Sequence, residues 1–503
     1  MKKRISQIEI YHTFSLNRKS GLLLASILWL CIFPGKTPFA QNSSEEFTAY
    51  LDERIPGWMK RYDVPGVTIS LIHQGDIVWE NAYGYADTEH GIQMTVDTVC
   101  RVESISKSVT ARGIMRLVEM GMVELDTSIS KYLNSWEFPE TDFDVDNITI
   151  RHLLSHSSGI PLGTIGLEYN PEDEIPSVRE SLKREVHMVQ PSGKSFIYSN
   201  PGFNILEVLI EDVTGRPFSE FMTDEILSPL EMITASYEWR ADFHTPVPKG
   251  YNIRGVPVPN YVYSEKAAGG LFASSRDIAR FVAAGMLNGF YSGENILSQS
   301  SIRELYTPVI KVADIYALVS EYYGLGHFLE TLPNGQRAVF SGGHGNGWMT
   351  HFHMIPETGE GIVIIMNSSR SWPLISHILS DWAKWNGYDS VGMGLIKKAI
   401  TGLWILVSLI MAVSLLQLIR VIKESLKLKR RFDLDIKNYS GLQFMQLALS
   451  VILILILIWS LTRDYLIIAF VFPGVSGWLM AVLSFAAFTL FVSGILKNNH
   501  NYE

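Results

Sequence analysis

The chain has 503 residues, 47% of them hydrophobic and 18% charged, with a formal net charge of −9. That length holds one large globular domain and something more, and the acidic balance, with no basic helix or zinc-type cluster, excludes a nucleic-acid footprint. Of the two cysteines, Cys31 falls in an N-terminal apolar run and Cys100 in a strand-like run with no nearby base, so neither an internal disulfide nor a thiol nucleophile is expected.

Residues 1–40 have the layout of a secretory signal. Lys2, Lys3, Arg4, Arg18 and Lys19 precede an apolar core at 21–33, then a Pro34-Gly35 break and Ala40 before a polar stretch. The long basic region and Pro38 suit export better than cleavage after Ala40. Residues 47–62 follow the spacing of an amphipathic helix. Residues 66–72 and 77–83 read as two strands joined through Gln74-Gly75-Asp76. After Ser104 the spacing of Val109, Ile114, Leu117 and Val118 predicts a helix that ends near Gly121. The middle, to about residue 320, has mainly helical pattern and long loops. Strand signals return at 338–340, 350–355 and 361–366, and a helix is predicted over 373–385. The fold expected is α/β (α+β), an antiparallel sheet drawn from both ends of a domain at 41–392 with a helical insertion.

Residues 393–503 change character. Segments at about 400–419, 442–461 and 477–496 are each nearly uncharged and apolar over the ~20 residues that cross a bilayer. Between the first two lie Arg420, Lys423, Lys427, Lys429, Arg430, Arg431 and Lys437; Arg463, Asp464 and Pro473-Gly474 separate the second from the third. The positive-inside rule puts the basic loop in the cytoplasm and the globular domain outside, where the N-terminal signal also sends it. No ionisable residue sits mid-span, which speaks against a transport pathway.

Three motifs carry chemistry. Ser104-Ile-Ser-Lys107 places a hydroxyl and an amine on one face of a helix start, where free N–H groups could hold an oxyanion. An identical tetrapeptide recurs at Ser128–Lys131, but it follows no strand and opens no long helix, so it reads as structural. Lys107 has two roles open to it, a desolvated proton acceptor or a fixed positive charge. The second motif is Tyr198-Ser199-Asn200, in which a phenol can relay protons and a carboxamide can hold a carbonyl. The third is Ser341-Gly-Gly-His344-Gly345-Asn346-Gly347, whose glycines allow a substrate backbone to approach. His152 and His156, four apart, and His351 and His353, two apart, lack a third ligand and read as structural. No metal and no cofactor is expected.

The spacing of these motifs resembles the serine β-lactamase and penicillin-binding-protein superfamily, in particular its class C and esterase-like branch. Leu125-Asp126, residues 148–159, Gly269-Gly-Leu271 with Asp277, and Pro356–Gly359 match it as well, over about residues 45–385. The resemblance implies Ser104 as nucleophile, Lys107 as its partner, Tyr198 as general base and Asn200 as the end of a Tyr-x-Asn motif. It sets His344-Gly345-Asn346 where the superfamily has Lys-Thr-Gly or His-x-Gly, and makes an oxyanion hole of the Ser104 and Gly347 N–H groups. His344 departs from the lysine that anchors substrate carboxylates, since a mostly neutral imidazole holds an anion poorly. Asn346 departs from a glycine and favours a substrate with amide functionality. An exported domain of this kind ahead of three membrane helices is similar to the prodrug-activating peptidases of antibiotic and toxin pathways. That similarity implies removal of an N-acyl-D-asparagine group from a nonribosomal peptide or polyketide precursor in the periplasm. The partners implied are the acylated precursor, the bacterial inner membrane and an exporter that delivers the precursor. The other readings are a D,D-peptidase or β-lactamase, an esterase, and, outside enzymes, a receptor for cell-wall peptide or drug.

Overall fold

A computed structural model describes residues 44–164, 167–240, 248–293, 295–427, 430–432, 439–462, 469 and 471–498. The export segment expected at 1–40 lies outside the described residues, as do Lys429, Lys437, Arg463 and Asp464.

Helix α1 (Ser44–Tyr62) opens on Glu45 and Glu46 and closes on Lys60 and Arg61, charges that complement the helix dipole. Its Phe47, Leu51, Ile55 and Met59 recur every fourth residue and are buried. Strands β1 (Gly66–His73) and β2 (Asp76–Asp87) form the expected hairpin, with Gln74 and Gly75 both at positive φ in its turn. The short β3 (Ile92–Gln93) and β4 (Cys100–Arg101) lead to α2 (Ile105–Glu119). The helical insertion follows: α3 (Ile150–Leu154), α4 (Val178–Glu185), α5 (Asn200–Thr214) and α6 (Phe218–Met222). After β5 (Phe272–Ala273) come α7 (Ser275–Ala283), started by a Ser274–Asp277 capping box, and α8 (Gln299–Leu305). The chain then returns to the sheet with β6 (Ile310–Lys311), β7 (Tyr322–Tyr323), β8 (Phe328–Thr331), β9 (Arg337–Gly345), β10 (Trp348–Ile355) and β11 (Glu360–Met366). Helix α9 (Trp372–Trp385) closes the globular part.

Among the described residues nine of these strands form one sheet in the order β3-β2-β1-β11-β10-β9-β8-β7-β6, and β4 pairs separately with β5. The first and last parts of the domain therefore meet at its centre, where β1 runs antiparallel to β11 with Ile69 opposite Ile364. Alternation along β11 divides the core: Val363 and Ile365 join the layer of α2, α5 and α7, while Ile362, Ile364 and Met366 pack with α1 and α9. Both faces are covered, so residues 361–366 are buried throughout.

Three further helices follow: α10 (Leu395–Leu426), α11 (Gly441–Leu461) and α12 (Pro473–Ile495). Each is long and apolar enough to cross a membrane. Helix α12 packs against both others. Small residues allow the approach: Ser450 Oγ donates to the Ala487 carbonyl at 2.8 Å, and Gly494 lies against Leu447. Beyond the spans, β12 (Arg430–Phe432) pairs with β13 (Leu496–Asn498). Met393, just before α10, and Ile396, in its first turn, are buried in the core with α1 and α9.

Candidate active site

Between Val99 and Met115 every residue is buried except Ser104. Strand β4, paired with β5, delivers the chain to the start of α2, and Ser104 sits at the helix N-cap without using its hydroxyl to cap the backbone. Its Oγ accepts instead from Lys107 Nζ at 3.1 Å. Its own N–H finds no acceptor among the described residues. The second copy fares differently: Ser128 starts a single 3-10 turn and Lys131 is exposed. Context, not the tetrapeptide, selects the site.

Lys107 is fully enclosed in α2. Burial pulls its amine down to about 7, only partly opposed by the negative charge of Glu103. Besides Ser104, Nζ donates to the Ala268 carbonyl at 2.7 Å. The loop that carries it is held by Glu207, a buried carboxyl that accepts the N–H groups of Lys266 and Ala267 at 2.6 and 2.9 Å. Lys107 Nζ also lies 5.0 Å from the centre of the Tyr198 ring, which brings serine, lysine and tyrosine to one point.

Tyr198 is gripped by a residue assigned above only a structural role. The His156 carbonyl accepts the Ile197 N–H at 2.8 Å and its Nδ1 accepts the Ser199 N–H at 3.1 Å. Its ring lies 4.2 Å from the Tyr198 ring, centre to centre. Helix α3 stops at Leu154, so His152 and His156 do not share a helix face; His156 sits beyond the end at φ 57°. Burial, reinforced by Lys107, holds its imidazole neutral. Downstream, Ser199 accepts the Gly202 N–H and starts α5.

Glu103 is the other residue that the motifs did not flag. It precedes Ser104 at φ 52°, a left-handed conformation uncommon outside glycine. Its buried carboxylate is fixed by Arg101 Nε at 3.0 Å and by the hydroxyls of Tyr261 and Tyr263 at 3.1 Å each. This network holds the turn that presents Ser104. Arg101-x-Glu103, two like-facing charges in an otherwise apolar strand end, was the available signal.

A small open cavity of about 40 Å³ is lined by Ser104, Asn200 and His344 together. Asn200 Nδ2 donates to the Thr164 carbonyl at 3.2 Å. Burial pushes the His344 imidazole down to about 4, so it is uncharged at neutral pH. Two of the groups expected to meet substrate bond within the protein itself. Asn346 Nδ2 donates to Glu168 at 3.2 Å, so its carboxamide is already engaged. The Gly347 N–H donates to Ser369 Oγ at 2.9 Å and is not free for an oxyanion. The reason is local: Gly345 pairs with Trp348, which makes Asn346 and Gly347 a two-residue turn, with Gly347 at φ 87° against the Gly250 backbone. The other glycines serve the protein itself. A Cβ on Gly343 would lie 2.2 Å from the Val102 carbonyl oxygen, and one on Gly345 would lie 2.2 Å from Glu103 Oε1. They admit the segment leading to Ser104 rather than a substrate backbone.

Among the described residues, Asp87, Glu89 and His90 are close enough to hold a metal ion, but two of the three are exposed and all lie on the turn after β2. His351 and His353 sit buried on β10, stacked at 5.7 Å. Burial also pushes the Cys100 thiol up, as a structural cysteine requires.

Residues 51–377 match the family described as Beta-lactamase. Protein flp of Staphylococcus aureus (strain NCTC 8325 / PS 47) is 22% identical over 353 residues, 68% of each chain. The octameric penicillin-binding protein homologue from Pyrococcus abyssi superposes with a TM-score of 0.61 at 27% identity, over 70% of this chain and 81% of that one. The β-lactamase/D-alanine carboxypeptidase from Pseudomonas syringae gives 0.53 at 22% identity, over 63% of this chain and 94% of that one. With the match running from α1 through α9 and enclosing Ser104 and Lys107, this chain belongs to the β-lactamase family, a serine hydrolase fold shared with penicillin-binding proteins.

Proposed function

We propose that this is a membrane-tethered serine peptidase that forms an acyl-enzyme on Ser104 and removes an N-acyl-D-asparagine group from a nonribosomal peptide or polyketide precursor. One observation carries the catalytic part: a solvent-reaching hydroxyl 3.1 Å from an amine whose pKa burial brings to about 7. Lys107 takes the Ser104 proton, directly or through Tyr198, as Oγ attacks the scissile carbonyl. The Ser104 N–H meets the oxyanion; the Gly347 N–H joins it only if Ser369 lets go. The leaving amine receives the proton, and water then hydrolyses the ester to free the acid and Ser104. Asn200 and His344 line the substrate cavity. A neutral His344 argues against anchoring the carboxylate of a β-lactam or a D-Ala-D-Ala peptide. Asn346 favours a carboxamide partner, which would have to displace Glu168. The basic stretch after α10 supports a cytoplasmic loop and a periplasmic domain.

The test is incubation with matched acyl-D-Asn and acyl-L-Asn amides, with mass analysis of Ser104. Release of acyl-asparagine from the D form alone, with an adduct on Ser104, is expected. Turnover of nitrocefin or D-Ala-D-Ala instead would replace the asparagine reading with a β-lactamase or D,D-peptidase. An S104A protein with full biological activity would leave only a receptor.

A further inference from the structure

The cavity beside Ser104 has a second wall that the acyl-transfer chemistry does not use. Glu185, at the end of α4, and Glu265, on the loop before β5, both line it. Among the described residues neither is joined to a lysine or arginine in a salt bridge, although the exposed Arg184 acts on both at longer range; Lys266 pairs with Glu238 instead. Hydroxyls and one N–H serve them: Thr164 Oγ1 and N–H donate to Glu185 at 2.5 and 3.2 Å, and Ser181 Oγ lies between the two, donating to Glu265. Glu265 is the buried one of the two, and Glu185 is half-buried. Burial, and then Glu185, push the Glu265 carboxyl up to about 7. Independently, Asn204 on α5 lines the same cavity at 3% exposure, and its Oδ1 accepts no hydrogen bond among the described residues. A buried acceptor left without a donor is costly.

An acceptor-rich wall with two carboxyl groups held in no salt bridge among the described residues, and an unpaired buried carbonyl, calls for a compact cation with several N–H donors. A primary ammonium group has three donors and a point charge, and fits a recess of this kind better than a carboxylate, a phosphate or a neutral chain. We infer that this wall is an ammonium subsite, and that the substrate carries a primary amine close to the bond that Ser104 attacks. The inference rests on Ser104 as the reacting centre but not on asparagine as the acyl residue. It would place the amine on the released part of a precursor of the kind proposed above.

The experiment uses the full chain in a neutral detergent. Calorimetric titration with n-butylammonium and with n-butanol compares a cation with its neutral isostere. Tenfold or tighter binding of the ammonium is expected, and E185Q/E265Q should remove the difference. Equal binding of the two probes, or a preference that survives both substitutions, overturns the subsite. Turnover is compared for acyl-D-Asn amides of butane-1,4-diamine and of butylamine: the ratio of their kcat/KM should exceed ten and fall toward one in E185Q/E265Q. An S104A protein keeps ammonium binding and loses turnover. Failure of the Ser104 reading would show as turnover retained in S104A, whereas failure of the subsite shows in the butylammonium titration alone.

Discussion

A lysine that titrates near neutrality is a different reagent from a lysine that stays charged. Lys107 is lowered by desolvation to about 7, so its free-base form, the one able to accept the Ser104 proton, grows as pH rises through that value. The kcat/KM profile should climb between about pH 6 and 8 and then level off. Glu265 also ionises near 7, so the assignment needs E265Q, in which the limb should persist if Lys107 governs it. Lys107→Arg fixes the charge and should lower kcat by about 10²–10⁴-fold; a limb unchanged in this variant would acquit Lys107. His156 calls for a second residue-level test, because it positions rather than reacts. Its Nδ1 accepts the Ser199 N–H and its ring backs Tyr198. His156→Ala should lower kcat tenfold or more with KM nearly kept. His156→Asn should restore much of it, since Oδ1 can stand in for Nδ1 and asparagine tolerates the left-handed φ. Equal loss in both variants would mean that the histidine only fills space.

At the scale of elements, β9 depends on glycine because β4 and the turn to α2 cross it closely. Gly343→Ala sets a Cβ 2.2 Å from the Val102 carbonyl oxygen, a backbone atom that cannot swing away. Destabilisation of about 1–3 kcal/mol is expected from overpacking, with loss of turnover as Ser104 is displaced. Gly57 in α1 is the control: nothing lies within 4 Å of an added Cβ, so Gly57→Ala should stabilise by about 0.5–1 kcal/mol. Urea titrations of both variants measure the contrast. The same glycines show where sequence reading stops. Their presence signalled a close approach, but what approaches is Glu103, more than two hundred residues upstream, and only tertiary structure reveals that. The central strands were legible because burial on both faces leaves a continuous apolar run, as in Gly361–Met366. Strands of two residues, such as Ile310–Lys311 and Tyr322–Tyr323, carry no period to read. Ser104, Lys107 and Tyr198 stood out by type and spacing. Glu185, Glu265 and Asn204 did not, because loops and helix ends unrelated in sequence converge on one cavity. The bond from the Gly347 N–H to Ser369 was not legible, because it depends on the hairpin's turn rather than on the motif.

Across the whole molecule, the joint between globular domain and membrane helices is a shared helix rather than a linker. Helix α10 runs 32 residues, about 48 Å, while a bilayer core needs only about 30 Å. The surplus at its start is packed: Met393 and Ile396 are buried with α9, and Ser376 Oγ bonds the Met393 carbonyl at 2.8 Å and the Lys397 N–H at 3.3 Å. Such a joint would transmit orientation between the globular domain and the apolar helices. It also makes the place of truncation matter. A chain ending after Gly402 keeps the packed turn and sheds nearly all of the exposed apolar helix surface. A chain ending after Ser390 strips three buried side chains, Val391, Met393 and Ile396, each worth about 1.5–3 kcal/mol when fully enclosed, and leaves the Ser376 hydroxyl without its partners. The longer form should therefore melt several degrees higher in differential scanning fluorimetry and retain turnover of small soluble substrates. If both forms melt together, the first turn of α10 contributes nothing to the domain, and the helices act as a passive tether. If the longer form is stable but turns over only short-chain substrates, the membrane helices take part in presenting the natural one.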